Sequence, residues 1–215
     1  MKNQITNLNS QTDISIGNLN LGCFEISDTL FSELSQTAGR LLASKESVAK
    51  RDLSHKLAGQ IYSGSQIKII YDLSSAAKSE LIELANTYRS SQKFLRDTSD
   101  STLQLADCWL VDQRSGDYNP PHFHTTFLAG VCYLEIPDTL KSKPNVVESF
   151  DPSLELGGAI QFIPGFSSSA GPIAKPIVTL FPKPRQAFVF PGSLIHCVMP
   201  FRSEGRRLSV SFNFS

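Results

Sequence analysis

The chain has 215 residues, enough for one sizeable domain around one main core. It is 40% apolar and 19% charged, and its 20 basic residues balance 20 acidic ones, so composition offers no basic surplus for a polyanion such as nucleic acid. The longest uninterrupted apolar stretch, residues 127–134, is far shorter than the about 20 residues of a membrane span. The opening MKNQITNLNSQTDISIG is polar and lacks the apolar core of a signal peptide, so the chain reads as soluble and cytoplasmic. Cys23, Cys108, Cys132 and Cys197 are far apart and form no CxxC. In a reducing compartment they read as packing residues.

Residues 13–25 alternate well enough for one or two short strands. SDTLFSELSQTAGRLLAS follows, placing Leu30, Phe31, Leu34, Ala38, Leu41 and Leu42 on one helical face, with Ser27 or Asp28 as N-cap. QIKIIYD, residues 66–72, reads as a strand. Residues 73–95 read as a second amphipathic helix striped by Leu81, Leu84, Ala85 and Tyr88. From about residue 103 the pattern changes to short strand-like segments separated by Pro, Gly, Asp and Ser: LQLADCWLVDQ, TFLAGVCYLEI, GGAIQFI, KPIVTLF, QAFVF, SLIHCVMPF and RRLSVSFNF. Segments of this kind predict a mainly β fold with flanking helices, built on a β-sandwich or jelly roll whose outer face the two helices cover. The expected organisation is a single domain over 1–215, with 1–102 a helix-rich supporting region and 103–215 the jelly-roll core. Residues 138–156 and 164–176 read as long loops, and the first is expected to border a substrate entrance.

Three of the four histidines fall in the β-rich part. His122 and His124 stand in PPHFHTTF, and in extended chain positions i and i+2 point the same way. Their α-carbons then lie about 7 Å apart, close enough for both imidazoles to reach one ion. His196 follows a Pro-Gly turn in FVFPGSLIHCVMPF. His55, in RDLSHKLAG, reads as a local structural or surface residue. In GRRLSVSFNF, Arg207, Ser209, Ser211 and Asn213 share one face of a strand, and Leu208, Val210, Phe212 and Phe214 share the other. The polar face either meets solvent or lines the inside of a small sandwich, where Arg207 would hold a carboxylate. Alternation alone does not choose between them. Trp109 and Tyr133, near the histidine motif, read as core residues.

The set His122, His124, His196 and Arg207-Leu208-Ser209, with histidine and arginine eleven positions apart, resembles the iron(II)/2-oxoglutarate-dependent oxygenases. It is closest in wording to a bacterial and phage-type subgroup with an HxH…H…RxS pattern. HFHTTFLAGVCYLEIP, FPGSLIHCVMPF and RRLSVSFNF carry the likeness, which extends back to SHKLAGQI. The resemblance implies a double-stranded β-helix and an iron(II) held by His122, His124 and His196. It also implies 2-oxoglutarate chelating that iron, with its far carboxylate on Arg207 near Ser209, and dioxygen as oxidant for hydroxylation of a C–H bond. The Tyr133 hydroxyl is a further candidate donor to the cosubstrate. The familiar form of this site has two histidines and a carboxylate. Here His124 takes the second position, or Asp107, Asp112 or Asp117 completes the site with His124 behind it. A small molecule or protein side chain is the expected substrate, and nucleic acid is not.

Two other readings compete. One is a cupin-like three-histidine metal enzyme that does not use 2-oxoglutarate, against which the first Glu after His124 is as far off as Glu135. The other is a non-catalytic jelly-roll binding or structural module.

Overall fold

The computed structural model describes residues 12–16, 19–56, 64–92, 102–144, 146–147, 155–164 and 177–215. Two antiparallel sheets face each other. The larger has seven strands in the order β1 (Thr12–Ile16), β2 (Leu19–Glu25), β10 (Gln186–Pro191), β6 (Leu128–Glu135), β12 (Arg207–Phe214), β4 (Leu105–Gln113) and β3 (Gln66–Lys68). The smaller runs β5 (Asn119–His122), β11 (Ile195–Val198), β8 (Ile160–Ile163), β9 (Val178–Leu180) and β7 (Val146–Val147). Together they form a double-stranded β-helix of the jelly-roll type, mainly β with helices packed outside. Residues before 103 supply three strands of the larger sheet, so that sheet is not confined to 103–215.

Side-chain parity decides what each face of the larger sheet touches. Outward-facing Cys108, Leu110, Cys132, Leu134, Val189, Val210 and Phe212 pack under helices α1 (Asp28–Leu42) and α3 (Ser75–Ser91). Leu30, Leu34, Ala38 and Leu41 meet them from α1, and Leu81, Leu84, Ala85 and Tyr88 from α3. Inward-facing Val131, Tyr133, Phe188 and Phe190 meet Ile160, Phe162, Leu180 and Val198 between the sheets.

The two helices hold each other's caps. Ser27 caps α1 by accepting from the Leu30 N–H, and the Glu80 carboxylate of α3 accepts from the Ser27 N–H and hydroxyl. Ser74 caps α3 in the same way, with Glu33 of α1 accepting from its N–H and hydroxyl.

The structure departs from the sequence expectation in four places. The strand over 66–72 stops at Lys68, because the Asp72 N–H bonds back to the Ile69 carbonyl and the Asp72 carboxylate pairs with Arg40 and Arg51. Helix α2 (Lys45–Arg51) buries no residue, so no apolar stripe announced it. Strand β5 forms through two prolines, which is possible because it is an edge of the smaller sheet. Residues 138–156 are not a plain loop: α4 (Asp138–Lys141) anchors Leu140 in a small core with Ala159 and Phe181, and β7 follows. Residues 145 and 148–154 of that stretch and 165–176 of the second loop lie outside the described residues.

Candidate active site

His122 ends β5 and His196 lies on β11, and the two are cross-strand partners in register. That pairing brings their ring centroids to 4.3 Å. His124 stands just past the strand end, where its N–H donates to the Gly192 carbonyl at 2.8 Å, on the turn that leads into β11. Its ring stacks on His196 at 5.2 Å and lies 6.0 Å from Trp109. One ligand nitrogen from each histidine falls within 4.8 Å of the others. Three nitrogens this close together could serve as ligands to a single ion, whose bonds to imidazole are about 2 Å long.

The tautomers of two of these rings are fixed. Nδ1 of His122 lies 2.8 Å from the Pro120 carbonyl, and Nδ1 of His196 lies 2.9 Å from the Leu194 carbonyl. A carbonyl only accepts, so Nδ1 carries the proton and Nε2 keeps its lone pair for a ligand. Burial lowers the pKa of all three. It brings His124, with help from His122, down to about 4, and His196 down to about 3. All three are therefore neutral near pH 7, the form a metal requires.

A stability prediction follows from these shifts. Between the ordinary histidine value of 6.5 and about 4, the unfolded chain takes up protons that the folded site refuses. Stability of the metal-free protein therefore rises with pH across this window and is lost as pH falls through it. Thermal melts at about pH 7 and about pH 5 check this: the midpoint falls at the lower pH, and falls less in His196→Ala.

Gly192 is required by close approach. A β-carbon there would lie 2.0 Å from the Thr126 carbonyl oxygen and 3.1 Å from that of His124. Gly192→Ala is expected to push the 124–126 segment away and weaken metal affinity by about tenfold or more. Titration of the metal-free variant with iron(II) measures the loss.

The other end of the same cavity is built by β12. Its polar face turns inward between the sheets, leaving Arg207 3% and Ser209 1% exposed. The Arg207 guanidinium donates to the Gly158 carbonyl at 3.3 Å and sits 5.3 Å from the centre of the Tyr133 ring. Its Nε has no partner among the described residues, nor does the buried Tyr133 hydroxyl. Burial lowers the Arg207 pKa and pushes Tyr133 up to about 12. The Tyr133 ring packs against Arg207, and Tyr133 is not among the residues that line the cavity. The cavity offers about 60 Å³, where one ordered water takes about 10–15 Å³ on the same measure. Val131, Ile160, Phe190 and Val198 give it apolar walls.

Among the described residues no carboxylate lines this cavity. Asp107 pairs with Lys68 at 3.1 Å, Asp112 pairs with Arg114 at 3.1 Å, and Asp117 accepts from the Arg114 N–H at 2.7 Å. Glu135 binds Arg206 at the surface. The structure thus brings His122, His124, His196, Arg207 and Ser209 to one cavity and leaves the alternative acids outside it. His55 is exposed. Two buried glutamines, Gln66 and Gln113, also line the cavity and were not anticipated. The available signal was parity, because Trp109, Val111 and Gln113 continue one inward face of β4.

A jelly roll holding three convergent imidazoles and a buried arginine in one cavity has the layout of a mononuclear metal oxygenase. The family model described as "Putative 2OG-Fe(II) oxygenase" matches residues 107–213, and the chain belongs to the iron(II)- and 2-oxoglutarate-dependent oxygenases. It is an oxidoreductase that uses iron(II), 2-oxoglutarate and dioxygen. Solved structures share the fold at low identity. A prolyl-4-hydroxylase from Pseudomonas putida is 15% identical, with 90% of this chain and 91% of that one covered and a TM-score of 0.52. The viral collagen prolyl hydroxylase of Paramecium Bursaria Chlorella virus-1, as its 2-oxoglutarate complex, is 12% identical, with 90% and 94% covered and a TM-score of 0.52. EctD from S. alaskensis in its apoform is 14% identical, with 91% and 72% covered and a TM-score of 0.57. No curated protein sequence matches the chain. Among the described residues no helix is long and apolar enough to cross a membrane.

Proposed function

We propose that His122, His124 and His196 hold the iron(II), that Arg207 with Ser209 receives the distal carboxylate of 2-oxoglutarate, and that the reaction hydroxylates a C–H bond of a small molecule or a protein side chain. One observation carries this reading: three convergent imidazoles share a cavity with a buried guanidinium that no acidic group among the described residues neutralises. The bound metal and cosubstrate supply the oxidising chemistry, in which 2-oxoglutarate is decarboxylated as dioxygen is reduced.

The chain's own residues set the conditions. Pro120 and Leu194 carbonyls orient the His122 and His196 rings. Three neutral imidazoles leave the iron(II) its full double charge, which favours a dianionic cosubstrate over a neutral one. Arg207 provides the matching cation at the far end, and its forked N–H groups suit a carboxylate. Val131, Ile160, Phe190 and Val198 keep bulk water from the space between. Phe123, between two of the histidines, stays 60% exposed and marks the edge at which substrate approaches. The prolyl hydroxylases among the structural neighbours make a peptidyl side chain a natural first substrate class to assay. The whole chain acts as one catalytic domain, since Gln66 of β3 lines the same cavity. The expected location is the cytoplasm.

Anaerobic addition of iron(II) and 2-oxoglutarate is expected to give a weak visible charge-transfer band that iron(II) alone does not give. In air without substrate, slow release of succinate should accompany it. Iron(II) binding with no band and no succinate would instead fit the cupin-like reading, and no iron(II) binding at all would fit a structural module.

A further inference from the structure

We propose that Gln113 is a positioning residue for the cosubstrate: its amide oxygen holds Arg207 and its amide nitrogen donates to the same distal carboxylate. The inference rests on the assignment of Arg207 as that carboxylate's receptor.

Gln113 is 1% exposed, yet neither its Oε1 nor its Nε2 has a hydrogen-bond partner among the described residues. It lines the cavity together with Arg207. The two residues are direct cross-strand partners in the β4–β12 ladder. On one face of an antiparallel pair such partners have β-carbons about 4.5–5.5 Å apart. Among the described residues the Arg207 Nε is also without a partner, and Oε1 of Gln66 is a further unpartnered acceptor lining the cavity. Buried amides are hydrogen-bonded in folded proteins, so a cluster of unmet donors and acceptors at one cavity end points to a polar ligand that completes it.

The donor and acceptor inventory fixes which atom does what. A guanidinium only donates and a carboxylate only accepts. An amide serves both in fixed directions, with its oxygen toward Arg207 and its nitrogen toward the ligand. A glutamate at 113 would occupy Arg207 itself and compete with the cosubstrate. An apolar residue would leave Arg207 free to swing and would remove one donor. Glutamine keeps the arginine aimed while leaving its charge available.

The test compares two keto acids on the anaerobic iron(II) protein, reading affinity from the charge-transfer band. One is 2-oxoglutarate. The other is 2-oxobutyrate, which lacks the distal carboxylate. Gln113→Met is expected to weaken 2-oxoglutarate by about tenfold and leave 2-oxobutyrate within about twofold of wild type. Gln113→Glu, which keeps the size and a polar head, is expected to weaken 2-oxoglutarate further and to raise the melting temperature of the ligand-free protein by pairing with Arg207. It also serves if the methionine variant fails to fold. An unchanged 2-oxoglutarate affinity, or an equal loss for both acids, overturns the role of Gln113. Arg207→Met separates the two levels of the reading. If it loses its preference for 2-oxoglutarate while Gln113→Met does not, only the Gln113 assignment falls. If Arg207→Met keeps that preference, the receptor assignment falls and Gln113 falls with it.

Discussion

His196→Ala is expected to abolish the anaerobic charge-transfer band and all succinate release, with iron(II) affinity lowered by at least about 100-fold. Changing groups that merely orient a metal ligand typically costs 10–100-fold, and here a ligand itself is lost. His196 is the most constrained of the three histidines. It is 5% exposed, faces His122 across the β5–β11 ladder, and has its Nδ1 tied to the Leu194 carbonyl. Phe190 at 4.9 Å and Phe162 at 6.0 Å pack apolar surface against its ring. Near pH 5 the metal-free alanine variant should hold its stability better than wild type relative to pH 7, because the buried base that resists protonation has been removed. A general unfolding would lower stability at both pH values, so the two causes are distinguishable. His124 answers a separate question. His124→Ala should lose iron(II), His124→Asp should recover part of it as a two-histidine-one-carboxylate site, and His55→Ala should change nothing. Retained iron(II) binding in His124→Ala, coupled to its loss in Asp107→Asn, Asp112→Asn or Asp117→Asn, would move the third ligand to an acid.

The parts legible in the sequence are those where residue type alone restricts the chemistry. Three histidines in a β-rich half, two of them at i and i+2, leave few other uses for so scarce a residue. The β-strands were legible because period-2 alternation survives in segments such as RRLSVSFNF. What alternation could not settle was the direction of each face. Both faces of the larger sheet are covered, one by α1 and α3 and the other by the smaller sheet. The apolar face of β12 therefore packs under helices, while its polar face, the one a simple reading sends to water, lines the cavity. Gln66 and Gln113 were hidden for the same reason, since glutamine on a strand ordinarily means solvent. Strand β5 was hidden by its prolines, whose missing N–H matters only away from a sheet edge. The reciprocal caps between Ser27 and Glu80 and between Ser74 and Glu33 join residues too far apart in the chain for any local pattern to reveal.

Arg207→Met is expected to do two opposite things: raise the melting temperature of the ligand-free protein and weaken 2-oxoglutarate by more than about 100-fold. Without cosubstrate, the guanidinium is a buried cation whose hydrogen bonding among the described residues is limited to the Gly158 carbonyl, and burial already drives its pKa down. Replacing buried ionic groups by apolar ones of similar volume is often stabilising by about 1–4 kcal/mol. In a chain of this size about 1 kcal/mol corresponds to about 2–4 °C. A flexible thioether should fill much of the space beside the Tyr133 ring that the guanidinium now occupies. The cost appears only on binding. With cosubstrate at about 100 times its dissociation constant, wild type gains about 2.7 kcal/mol, and the variant should gain almost none at the same concentration. Arg207→Lys keeps the charge but not the fork, and should fall between them. Melting curves with and without 2-oxoglutarate, on the anaerobic iron(II) protein and the metal-free one, measure both effects together. A lower ligand-free midpoint with the cosubstrate-induced rise intact would mean that Arg207 holds the fold rather than the ligand. The three histidines would then be left with a metal but without an assigned partner for the distal carboxylate.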